Sequence, residues 1–68
     1  MKHDMKFEVY TDGEFYCARC FDADIFTQGK TLDEVQQNIR EATALYFEDH
    51  QEERDEYNGI MAMMEMIF

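Results

Sequence analysis

The chain has no proline, only three glycines and two cysteines, and its 6 lysines and arginines face 16 carboxylates. Without a proline-rich or low-complexity stretch, nothing in 68 residues marks a linker or an internal boundary, so a single domain spanning 1–68 is expected. The shortage of cations leaves a net charge of −10, which argues against free nucleic acid as a direct partner, because phosphates are held by clustered Lys and Arg. A basic protein surface is the macromolecule such a field attracts, although the same charge also serves plain solubility. Long apolar runs are missing too. Ile60–Phe68 is nine residues long and contains Glu65, far short of the roughly 17 residues that a membrane helix needs. The opening Met1-Lys2-His3-Asp4-Met5-Lys6-Phe7-Glu8 has no apolar run behind its charges, as a secretory leader would. A cytoplasmic protein with no membrane contact is expected.

The two cysteines form Cys17-Ala18-Arg19-Cys20, a spacing used by metal and redox sites. Here the flanking residues alternate as in a strand, and side chains three apart on a strand point to opposite faces. The thiols therefore do not converge, and both are read as free cysteines packing as small hydrophobes. His3 and His50 stand far from them in sequence. Catalytic signatures are missing as well. There is no G-x-S-x-G elbow, and Gly29-Lys30-Thr31 lacks the upstream glycine of a phosphate loop, since Asp24 stands in its place. With 16 carboxylates some spatial pair is unavoidable, so proximity alone argues little for acid–base or metal-dependent nuclease chemistry. The chain is read as a non-enzyme without cofactor or metal.

What is present is a sharply written strand-to-helix junction. Phe7 and Val9 alternate with Lys6 and Glu8 in a first strand over 5–10. Asp12-Gly13 marks a hairpin, because a tight turn needs the positive φ that Gly adopts cheaply. A second strand over 14–21 puts Tyr16, Ala18 and Cys20 on one face and Phe15, Cys17 and Arg19 on the other. After the polar break Asp22-Ala23-Asp24, a short strand over 25–28 runs into Gly29. Thr31 and Glu34 then have the spacing of a capping box, with Glu34 expected to reach back to the Thr31 N–H. Behind them Leu32, Val35, Ile39, Ala42 and Leu45 or Tyr46 recur at helical spacing to about Phe47. The run 48–56 carries six acids and one Arg, either extending the helix or fraying into solvent. Asn58-Gly59 reads as a second turn, and Ile60–Phe68 as a last strand, apolar on both faces and therefore buried in a sheet or against another subunit. The order is β-β-β-α-β, an α+β class, with the fourth strand returning parallel to the first at its free edge.

Asp12-Gly13, then Tyr16, Ala18 and Cys20, then Thr27-Gln28-Gly29-Lys30-Thr31-Leu32-Asp33-Glu34, with Asn38-Ile39 and Glu41-Ala42, form a series that resembles the HicB antitoxin family over about residues 5–47. Two departures stand out. Members commonly carry a proline and a glycine in the loop after the second strand, where this chain has Asp22-Ala23-Asp24-Ile25. Many members also append a DNA-binding domain, whereas this sequence looks like the HicB-type core alone.

The resemblance implies a partial ribonuclease-H-like, two-layer fold without ribonuclease activity, which binds and occludes a small basic HicA-type RNA-cleaving toxin. Charge places the candidate contacts at Glu48, Asp49, Glu52 and Glu53. The alternative is a self-associating module of structural or regulatory role without a toxin. Its homo-oligomer interface would be drawn from Phe15, Cys17, Met61 and Met63, because an exposed apolar sheet face is costly.

Overall fold

Strict alternation along the first strand decides which face of the sheet is covered. In the computed structural model, which describes residues 2–64, β1 (His3–Thr11) buries Met5, Phe7 and Val9 and turns Lys6 and Glu8 to the other side. The expected order is present: β2 (Tyr16–Cys20), β3 (Phe26–Gly29), α1 (Leu32–Asp49), a four-residue α2 (Gln51–Arg54) and β4 (Tyr57–Met64). The sheet runs β3-β2-β1-β4, antiparallel except for β1 and β4, which are parallel. This is an α+β fold with one mixed sheet.

Local chemistry explains the hairpin. Gly13 has φ +101° and carries the reversal, and among the described residues it alone has a positive φ. The Asp12 carboxylate accepts from the backbone N–H groups of Glu14 (2.9 Å) and Phe15 (2.8 Å). Those two donors hold its carboxyl below the usual range, Phe15 contributing most.

The helix start follows from its cap with one change of partner. Thr31 Oγ1 accepts from the Glu34 N–H at 3.0 Å as expected. The Glu34 carboxylate, however, takes the N–H of Lys30 (3.0 Å) rather than that of Thr31. Asn38 Nδ2 donates to the Gln28 carbonyl at 2.7 Å and ties the helix to β3. Gly29 lies directly beneath: a Cβ built there would stand 2.6 Å from the Val35 nitrogen.

The core joins Met5, Phe7, Val9, Ala18, Cys20 and Ile25 from the sheet side to Val35 and Ile39 of α1. Four expectations are corrected. Leu32 (41% exposed) stays outside and Thr43 is buried, so the helix is rolled towards its Val35–Ile39–Thr43 line; of the pair Leu45 or Tyr46 it is Tyr46 that packs against the core, Leu45 being 63% exposed. Ile25 belongs to the turn before β3, held by its N–H to the Ala23 carbonyl, yet still fills the core. Asn58-Gly59 makes no turn. Tyr57 pairs with His3 and Gly59 with Asp4, so Asn58 is the extra residue of a bulge inside β4. The reversal happens earlier, where the Glu56 N–H reaches the Glu53 carbonyl after α2. Finally, β4 takes its expected place, parallel to β1 at its free edge, but its residues from Asn58 on are exposed rather than buried in the sheet. Of the expected last strand, Ile60–Met64 lie in β4 and residues 65–68 fall outside the described residues.

Candidate partner-binding surfaces

Three surfaces are open to a partner: the acidic helix end, the uncovered sheet face, and β4 with the groove beside it. The acidic end is built by a break at His50. There α1 stops with a non-helical backbone (φ −133°, ψ 54°) and α2 resumes at Gln51. The His50 ring stacks on Tyr46, 4.0 Å between centroids and 9° from parallel. Its Nδ1 lies 2.8 Å from the Tyr46 carbonyl, an acceptor only, so Nδ1 carries the proton and donates.

Glu48, Asp49 and Glu52 are solvent-exposed on this end. Glu53 is set apart from them. It is half-buried and accepts from the Tyr46 hydroxyl at 3.0 Å. Burial first, and then this carboxylate, push the Tyr46 phenol up from its ordinary value. Glu53 therefore fastens the helix end, and the free acidic contacts reduce to the other three.

The second surface is the sheet face opposite α1. Parity and register place Lys6, Glu8 and Tyr10 of β1 beside Cys17 and Arg19 of β2, Phe26 of β3, and Met61 and Met63 of β4. Glu8 and Arg19 form a salt bridge of 3.1 Å across its centre, both ends well exposed, a contact worth at most about 1 kcal/mol. Phe26, Tyr10, Met61 and Met63 are all open to solvent. Cys17 is only 4% exposed, so its sulfur offers little surface to a partner, and Phe15 is half-buried in the hairpin connection. Of the four residues read as an oligomer interface, only Met61 and Met63 present substantial area. Cys17 points away from Cys20, which sits in the core. Burial, and then the Asp12 charge, raise the Cys17 thiol, so it is neutral and weakly nucleophilic.

The third surface was not foreseen. Between the α1 flank and the start of β4 lies an open groove of about 800 Å³. Arg40, Thr43, Ala44 and Phe47 line one wall, and Tyr57 to Ile60 the other. The signal was in the sequence, since positions 40, 43, 44 and 47 share one helical flank. It was masked by the stronger Val35–Ile39 line. Lys2, Arg40 and Arg54, half of the chain's 6 basic residues, meet here with only Glu48 and Asp55 as lining acids. Among the described residues the one salt bridge is Glu8–Arg19, so none of these three cations is paired with a described carboxylate. Thr43 Oγ1 is buried without a hydrogen-bond partner.

That orphan hydroxyl has a measurable cost. Burying an unsatisfied hydroxyl costs roughly 1–3 kcal/mol, and Val matches Thr in shape and helix propensity. Thr43→Val is expected to raise the thermal midpoint by about 4 °C or more, read by calorimetry. An unchanged or lower midpoint would mean that the hydroxyl is satisfied in solution.

Among the described residues no group of three or more His, Cys, Asp or Glu is arranged to hold a metal ion. No helix among them is long and apolar enough to cross a membrane. No family model, curated protein or solved structure matches this chain.

Proposed function

We propose that this chain is a HicB-like antitoxin that binds and occludes a small basic HicA-type RNA-cleaving toxin. The observation that carries the reading is the residue series from Asp12-Gly13 to Thr27–Glu34, set on a β-β-β-α-β chain with a net charge of −10. On this reading the two layers are a partial ribonuclease-H-like fold that does no chemistry. A toxin that cleaves RNA must present positive charge to phosphates. The exposed Glu48, Asp49 and Glu52 offer a matching negative surface, which accelerates encounter more than it deepens affinity.

Co-expression with the product of the adjacent open reading frame tests the proposal. A small basic protein is expected to co-purify and to lose its RNA cleavage in the complex. In the triple variant E48K/D49K/E52K the association rate is expected to fall about tenfold or more, with a flatter salt dependence and little change in dissociation. A neighbour that is not basic, or a complex indifferent to this charge reversal, would remove the support.

A second reading is favoured by one observation of its own. Ile60, Met61, Met63 and Met64 are each 40–43% exposed on an edge strand, which suits a self-associating module whether or not a toxin is bound.

A further inference from the structure

We infer that β4 pairs antiparallel with β4 of a second copy about a two-fold axis perpendicular to the sheet. The result is one continuous sheet of twice four strands with both α1 helices on the same face. The inference rests on the self-association reading and gives it a geometry different from the one expected of the sheet face.

The edge is the first reason. Among the described residues the sheet ends at β4, so half of that strand's backbone N–H and C=O groups point outward with no strand partner among them. Tyr57–Met64 contains no charged residue and no proline, the devices by which exposed edges are normally blunted. Its one irregularity, the bulge at Asn58, lies at the beginning and leaves Gly59–Met64 regular.

Both faces of the strand are apolar, which is the second reason. Register with β1 puts Ile60, Ala62 and Met64 on the helix side beside Met5, Phe7 and Val9, and Met61 and Met63 on the other. Covering one sheet face would leave half of these side chains in water. Edge-to-edge pairing brings each set against its own counterpart, as an isologous contact requires. The unbranched methionines adapt to that self-contact.

Charge supplies the third reason and selects the occupant. A chain of net −10 repels its own copies over most of its surface, yet Tyr57–Met64 carries no charged side chain. It is therefore the place where two copies repel least. A basic toxin finds no carboxylate on this strand and is directed to the acidic helix end instead. A stable dimer needs roughly 800 Å² from each partner, more than one strand edge provides, and the groove wall of Ala44 and Phe47 extends the contact.

The test is light scattering on the full chain, followed by isotope-filtered NMR on a mixture of labelled and unlabelled protein. A mass of twice 8.2 kDa is expected, with intermolecular contacts from Ile60, Met61 and Ala62 to the same residues of the other copy. Met61→Lys with Met63→Lys is expected to weaken association at least about 100-fold while far-ultraviolet dichroism is retained. If that variant does not fold, the contacts in the unsubstituted chain decide alone. A monomer at about 1 mM overturns both the self-association reading and this geometry. A dimer whose contacts come from Tyr10 and Phe26 overturns the geometry only and moves the interface to the sheet face.

Discussion

Phe7→Ala is expected to remove most of the stability of this domain. The ring is completely buried at the centre of the sheet, between neighbours Cys20 on β2 and Ala62 on β4. Truncating a buried Phe costs about 3–5 kcal/mol, through lost transfer energy and the cavity left behind. At ~0.05–0.15 kcal/mol per residue, a chain of this length has only about 3–10 kcal/mol in total. Each kcal/mol moves the midpoint of so small a domain by about 4–8 °C, so a fall of at least about 12 °C is expected, or loss of a cooperative transition. Phe21→Ala is the matched control. Its ring is 56% exposed and its removal should shift the midpoint by only a few degrees. Equal shifts for the two variants would mean that the helix does not cover the face of β1 described above.

Gly29→Ala is the second large effect, and it acts on the junction that the family resemblance rests upon. Substituting Ala for Gly ordinarily stabilises by about 0.4–1 kcal/mol, because the unfolded chain has less freedom to lose. Here the added Cβ would meet the Val35 nitrogen at 2.6 Å and the Glu34 carbonyl carbon at 3.0 Å. Both are backbone atoms of the first helical turn, so no side chain can rotate away. The helix start must lift off β3, straining the Asn38–Gln28 hydrogen bond and the Lys30–Glu34 contact. Overpacking of this kind costs roughly 1–3 kcal/mol, which outweighs the entropic gain. Chemical denaturation should therefore place Gly29→Ala below the parent, and Gly29→Val lower still. A midpoint at or above the parent's would show that the helix does not sit this close to β3. Gly29 is thus required for close approach of two backbones and not for a turn.

These two positions differ in how legible they were. Phe7 belongs to a period-two pattern, and such patterns survive folding because one face of a strand must be dry. Gly29 reads from sequence as the end of a strand, but its clash with Val35 exists only once helix and sheet are docked. The acidic run shows the same division. Its charge and exposure were evident in the composition, while the withdrawal of Glu53 into a bond with Tyr46 depended on the break at His50.

The sequence by itself determined the order and kind of the elements. The Asp12-Gly13 reversal, the Thr31 cap and the alternation of β1 are interactions among residues a few positions apart, so their chemistry is complete before any packing occurs. Only the tertiary structure decided what each apolar surface meets. The rotation of α1 left Leu32 outside, brought Thr43 into the interior and chose Tyr46 over Leu45, and the bulge at Asn58 replaced an expected turn. β4, in its expected place at the free edge of β1, was left in water on both faces, and these outcomes depend on how two layers dock rather than on any local preference.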